Sequence, residues 1–190
     1  MNTKEHIFKT AEDLFFRNGY YATTIRDIAT EAAVNSSMVN YYFQTKENLY
    51  LQILEQLQYN LDFDMRLVND MHRINDRILL FVNQTINFAQ THAKVIHLFM
   101  IEQLQASTEQ TKKLIHILEK EHFNCFYRIL IRENTYSISP DRSINTLYNA
   151  VFGLIKEWLR VQNKINKTIR DLEIKEINKA VEKIILMNGF

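Results

Sequence analysis

The sequence predicts an all-α fold of about nine helices, and three observations carry that prediction. Only three glycines and one proline occur in 190 residues, whereas hairpins, phosphate loops and barrels need several of each. Apolar residues recur at helical spacing from one end of the chain to the other. Finally, the two runs that could pass for buried strands, VIHLFMI and FYRILI, are not bracketed by turn residues, so both read as buried helix.

The first stripe is Ile7, Ala11, Leu14 and Phe15. It stops at Asn18-Gly19, a common helix ending, and Tyr20 to Thr23 read as a short connection. Thr24-Ile25-Arg26-Asp27 then matches the [ST]-x-x-[DE] capping box. Ile25, Ile28, Ala29 and Ala32 form the inward stripe of a second, short helix ending near Ala33. Asn35 or Ser36 can cap a third helix, Ser36 to Phe43. Thr45 can cap a fourth, which begins at Lys46 and carries Leu49, Ile53, Leu57 and Leu61 at i+4 intervals. Beyond it the chain reads as long amphipathic helices. The breaks fall near Asn69–Asn75, Thr91–Ala93, Ala106–Glu109, Tyr136–Pro140 and Asn163–Asp171. No internal repeat or low-complexity segment interrupts them.

Composition excludes several functions. The single cysteine, Cys125, rules out an internal disulfide and a thiolate-rich zinc site, and fits a reducing cytoplasm. The His92, His97, His116 and His122 set does not have metal-ligand spacing. No window approaches the roughly 18 apolar residues of a membrane span, and the N-terminus lacks the pattern of a signal peptide. There is no Gly-rich phosphate loop, CxxC pair or HExxH, so an enzyme is not indicated. The formal net charge is +1, and the first fifty residues hold five Lys/Arg against six Asp/Glu. A nucleic-acid partner would therefore have to be held by local geometry rather than by a basic surface.

The first fifty residues supply such a geometry. Short helices joined by tight turns suggest a helix-turn-helix. At 100° per residue, Val39 and Phe43 of the third helix point together, inward onto Ile28 and Leu14. Ser37 and Tyr41 take the opposite face, flanked by Met38 and Asn40, with Ser36 at the tip. A slim leading end followed by hydrogen-bonding side chains suits entry into a groove about 12 Å wide. Lys46 sits in the first turn of the next helix, mildly misplaced against the helix dipole, and a phosphate would reverse that penalty. Thr24 offers a similar clasp from the other side. Each feature also has a plain structural reading. The serines can be caps, adjacent aromatics are often core, and Lys46-Glu47 can be a solvated helix start.

Taken together, the residues from Ile7 to Leu49 resemble the DNA-binding domain of TetR-family transcriptional regulators. The match rests on Ala11, Leu14, Phe15, Gly19-Tyr20, Thr23 through Ala29, Ala32, Val34 and the run Tyr41-Tyr42-Phe43-x-x-Lys46-Glu47-x-Leu49. Members of that family usually have glycine where Ala33 stands, and they often carry Lys and Gly in place of Ser36 and Ser37. The resemblance implies domains at 1–46, for DNA binding, and 47–190, for ligand binding and dimerisation. It implies DNA contacts from Thr24, Arg26, Ser36, Ser37, Met38, Asn40, Tyr41, Tyr42 and Lys46. It also implies a cytoplasmic regulator, usually a repressor, on a pseudo-palindromic double-stranded operator.

For the second domain the resemblance implies a homodimer joined through two C-terminal helices, here Ser143–Gln162 and Asp171–Met187. Their stripes include Leu147, Val151, Leu154 and Trp158 in the first and Ile177, Val181 and Ile184 in the second. The middle of the chain is rich in rings. Phe81, Phe88, Phe99, Gln103, Phe126, Tyr127, Tyr148 and Phe152 describe a small-molecule effector pocket, and they describe a helical core equally well. No cofactor is implied. A competing reading keeps the later helices as a bundle-type ligand carrier or protein-interaction module without DNA binding. That reading leaves the short, capped N-terminal trio unexplained.

Overall fold

The computed structural model describes residues 2–58, 65–131, 142–161 and 167–187. Among them are ten helices: α1 (Thr3–Ala22), α2 (Ile25–Glu31), α3 (Ser36–Phe43), α4 (Lys46–Glu55), α5 (Met65–Asp70), α6 (Ile74–Thr91), α7 (Ala93–Leu104), α8 (Glu109–Ile131), α9 (Arg142–Val161) and α10 (Lys167–Met187). The described residues contain no strand. No helix among them is long and apolar enough to cross a membrane. The expected break at Tyr136–Pro140 and the end of the Leu49–Leu61 ladder lie outside the described residues.

Side-chain caps set the boundaries of the N-terminal helices. Asn2, Thr24, Asn35 and Thr45 each accept a hydrogen bond from a backbone N–H in the first turn of the helix that follows. At Thr24 the capping box is complete in both directions. The first helix departs from expectation at its end. Gly19 breaks it with φ +79°, as the sequence suggests, yet helical geometry resumes and carries on to Ala22. The helix is kinked at Gly19 rather than finished there.

The chain forms two compact units. The first comprises Met1–Leu61 and His92–Glu121, so α1 to α4 fold together with α7 and the first half of α8. Ile7, Ala11, Leu14 and Phe15 of α1 are buried, as are Ile28, Ala29 and Ala32, Val39 and Phe43, and Leu49, Ile53 and Leu54. Each large apolar side chain taken out of water contributes roughly 1.5–3 kcal/mol, and these residues alone make a continuous core. Helix α7 packs along α1, where Lys94 pairs with Asp13 and the His97 ring meets Phe16 edge-on at 5.1 Å.

The second unit comprises Asp62–Thr91 and His122–Phe190. Here α6, α9 and α10 pack on one another. Their apolar stripes meet at Ile78, Phe81, Val82 and Ile86, at Leu147, Val151, Ile155 and Trp158, and at Ile177, Val181 and Ile185, all buried.

Candidate nucleic-acid interface

Helices α2 and α3 pack against each other, and the turn between them is built from residues 32–35. Ala33 holds φ at +52°, in the left-handed region that L-residues enter at a cost. This is the position where the resemblance leads one to expect glycine. Val39 and Phe43 are both fully buried, and Tyr41 is 80% exposed. Ser37 and Asn40 are exposed with it, while Ser36, Met38 and Tyr42 are half-buried. The helical wheel therefore sorts this helix as expected. Tyr41 and Tyr42 touch edge to face, centroids 5.1 Å apart. The cap of α3 is Asn35, whose Oδ1 accepts from the Met38 N–H at 2.9 Å. The same oxygen accepts the Ser37 hydroxyl proton, so Ser37 is already tied to the cap.

At the start of α2, Thr24 and Asp27 bond reciprocally. The Thr24 N–H and hydroxyl both donate to Asp27 Oδ2, at 2.8 and 2.7 Å, and the Asp27 N–H donates to Thr24 Oγ1 at 3.2 Å. These bonds from Thr24 hold the Asp27 carboxyl below the usual carboxylate range. Thr24 and Arg26 both stand exposed. Arg17 pairs instead with Glu31, across the seam between α1 and α2.

Lys46 is the correction at this site. Its ammonium does not stand open for a phosphate. It donates to the carbonyls of Tyr20 at 2.9 Å and Thr23 at 3.0 Å, and it lies 4.2 Å from the centre of the Tyr20 ring. Tyr20 and Thr23 are at the C-terminal end of α1, where the last carbonyls lack helical partners and the dipole is negative. A lysine misplaced at the N-terminus of α4 is thus well placed at the end of α1. Burial pushes its pKa down.

Sequence reasoning missed the strap behind this contact. The Tyr20 ring packs on Tyr50 at 4.9 Å, and Phe15 meets Tyr50 edge-on at 4.8 Å. The Tyr50 hydroxyl donates to Glu102 of α7 at 2.8 Å. Glu102, 3% exposed, also accepts the Ser107 N–H at 2.5 Å and hydroxyl at 2.6 Å. Tyr21 closes the ring by donating to the Ser107 carbonyl. Burial, reinforced by the Glu102 bond, raises the Tyr50 phenol pKa well above its ordinary value. The only advance signal was the odd position of Lys46 after a Gly19-Tyr20 break.

The other expected sites are placed as follows. Phe99 and Gln103 lie on α7 in the first unit, and the remaining six ring residues belong to the second. The eight therefore do not form one set within either unit. Gln103 donates to Glu119 at 2.7 Å, beside a hollow of about 740 Å³ that Glu102, Ser107, Ile115 and His116 also line. Of the expected interface residues, Leu147, Val151, Trp158, Ile177 and Val181 are buried within their own chain. A 3.6-residue stripe cannot say which neighbour it faces, and here α6, α9 and α10 pack on one another within the same unit. Leu154 and Ile184 remain half-buried, while Leu186 and Met187 are 69% and 86% exposed.

Known proteins match this N-terminal arrangement. Residues 7–53 fit the family model for bacterial regulatory proteins of the tetR family. The HTH-type transcriptional regulator QacR of Staphylococcus aureus is 44% identical over 54 residues, covering 28% of this chain and 29% of that protein. The chain thus matches less than a third of the length of the curated relatives first found. Solved structures extend the likeness to the whole fold. The MbdR regulator of Azoarcus sp. CIB superposes with a TM-score of 0.71 at 22% identity, over 100% of this chain and 99% of that one. PfmR, a TetR-family regulator of Thermus thermophilus, does so with 0.69 at 14% identity, over 94% and 96%.

Proposed function

We propose that the chain, whose residues 7–53 fit the tetR family model, is a DNA-binding transcriptional regulator of the TetR family that reads double-stranded DNA with α3. The observation that carries this reading is the division of α3 into a buried packing face and an exposed reading face. Val39 and Phe43 fix the helix to α1 and α2, and Ser37, Asn40 and Tyr41 are left outward. Ser36, Ser37, Met38 and Asn40 approach base edges, and Tyr41 and Tyr42 contact the sugar-phosphate backbone and thymine methyls. Thr24 and Arg26 hold phosphates from the α2 side. Lys46 acts indirectly, by holding the N-terminus of α4 to the end of α1.

The functional unit is a homodimer, and the exposed end of α10 at Leu186 and Met187, with Leu154 and Ile184, is the apolar surface available to a partner copy. Two-fold symmetry then calls for a pseudo-palindromic operator. A small molecule bound among the later helices releases the DNA, in the manner of a repressor. A coupling of about 1–3 kcal/mol between the two sites is enough for a several-fold to hundred-fold loss of operator affinity. A gel shift on the DNA upstream of the protein's own gene tests the reading. A specific shift is expected, lost when Arg26→Ala and Tyr41→Ala are combined. A chain that is folded and dimeric yet never shifts specific DNA would overturn it.

A further inference from the structure

Helix α3, from Ser36 to Phe43, carries no Lys, Arg, His, Asp or Glu. The nearby Lys46 ammonium is committed to the carbonyls of Tyr20 and Thr23, and Arg26 stands on α2. Arg and Lys are the commonest readers of guanine, whose 6-carbonyl and ring N7 are both acceptors. Base reading by this helix therefore falls to neutral side chains, and their donors and acceptors can be counted.

Ser37 is the first of them. Asn35 Oδ1 accepts from the Met38 N–H at 2.9 Å. A backbone N–H only donates, so the amide atom facing it is the oxygen and not the nitrogen. The Ser37 hydroxyl meets that same oxygen. An amide oxygen cannot donate, so the hydroxyl must. The one proton of Ser37 is thus held by the helix cap, and only its lone pairs are left to face outward. In the major groove such an acceptor is matched by an amino group, that of adenine or of cytosine, and is mismatched to the carbonyls of guanine and thymine.

Asn40 is the second. It is exposed, three residues beyond Ser37 and on the same face of the helix. Among the described residues its side-chain amide has no partner. An amide presents a donor and an acceptor side by side. Their complement is the ring N7 acceptor and 6-amino donor of adenine, a pairing that no other base shows in the major groove.

We propose that Asn40 and Ser37 set the base preference of α3. Asn40 pairs bidentately with the adenine of an A·T pair, Ser37 accepts an amino proton from an adjoining pair, and no guanine is read bidentately. Asn35 touches no base. It is a positioning residue that keeps Ser37 an acceptor. This rests on the reading of α3 as a DNA-reading helix and goes beyond it by naming the base chemistry that the helix takes.

Random duplexes are first selected with the full chain, and the half-site obtained is then resynthesised with base analogues. At one adenine of each half-site, 7-deazaadenine, which lacks the ring N7 acceptor, is expected to weaken binding about tenfold or more. Asn40→Ala is expected to lose that sensitivity. Substitution of guanines by 7-deazaguanine is expected to change affinity by less than about twofold. At a position adjoining that adenine, purine for adenine or pyrimidin-2-one for cytosine removes the amino group. That change is expected to weaken the parent severalfold and to leave Ser37→Ala unaffected. Asn35→Asp offers Ser37 the same acceptor and is expected to keep the amino-group dependence, whereas Asn35→Gly frees the hydroxyl and is expected to lose it. Asn35, Ser37 and Asn40 are all exposed, so these variants keep the core of the fold. Weakening by 7-deazaguanine, indifference to 7-deazaadenine at every adenine, or an amino-group dependence that survives Ser37→Ala would overturn the proposal while leaving α3 as the reading helix. If the chain selects no sequence, that reading of α3 fails and the base preference falls with it.

Discussion

The hydroxyl of Tyr50 on α4 donates a 2.8 Å hydrogen bond to the buried carboxylate of Glu102 on α7. Fifty-two residues separate the two, and the bond fastens the helix that follows α3 to one much later in the chain. Glu102 is held in turn by both donors of Ser107, so three donors share one carboxylate. Glu102→Ala leaves all of them unmet and is expected to cost about 3 kcal/mol. Tyr50→Phe removes one donor and is expected to cost about 1–2 kcal/mol. Urea denaturation midpoints check both, and parental stability in Glu102→Ala would show that the strap contributes nothing.

Lys46 gives a prediction that separates two roles. If its ammonium serves the Tyr20 and Thr23 carbonyls, Lys46→Met lowers stability by about 1–2 kcal/mol, because two charge-assisted bonds and a cation–π interaction disappear. DNA affinity then falls as a consequence, with the salt dependence unchanged. A phosphate clamp behaves in the opposite way. Stability stays put and the slope of log K against log salt shrinks by about 0.9 for each phosphate that is no longer neutralised. Thermal melts and a salt series on the same preparation distinguish them.

Ala33 occupies a positive-φ turn between α2 and α3. Ala33→Gly is expected to stabilise the chain by about 0.5–1 kcal/mol, since relief of the left-handed strain outweighs the added freedom of the unfolded chain. A loss of stability on calorimetric melting would show that Ala33 makes contacts worth more than its strain.

Much of the N-terminal region was legible because its signals are local. Thr24, Asn35 and Thr45 announce their helices within three residues, and the spacing of Val39, Phe43, Ser37 and Tyr41 sorts α3 into two faces. What was not legible is what each face meets. Lys46 finds carbonyls 26 and 23 residues upstream, and its charge alone suggested a phosphate equally well. The α9 and α10 stripes were read as a partner surface, and Leu147, Val151, Trp158, Ile177 and Val181 of those stripes are buried within the chain itself. Periodicity shows that a face is buried and leaves open what buries it.

His122 should impose a pH dependence on stability. Its pKa falls from an ordinary 6.5 to about 3 on folding, so between those values the unfolded chain binds the extra proton. Stability is fully present above about pH 6.5 and declines as pH falls towards 3, by up to about 1.4 kcal/mol per unit. Burial of the ring and the nearby Lys156 ammonium both oppose protonation. The melting temperature of the parent is expected to drop more steeply than that of His122→Phe between pH 6.5 and 4. Parallel curves would mean that the ring is not buried as a neutral base.

The most direct measurement is a selection of duplexes from a random DNA library by the purified full chain, followed by footprinting of the enriched sequences. A pseudo-palindrome is expected, with half-site centres about 34–36 Å or a multiple of that apart, and with enrichment lost in Arg26→Ala combined with Tyr41→Ala. Failure to enrich any sequence, or enrichment that survives those two substitutions, would contradict the assignment of α3 as a DNA-reading helix.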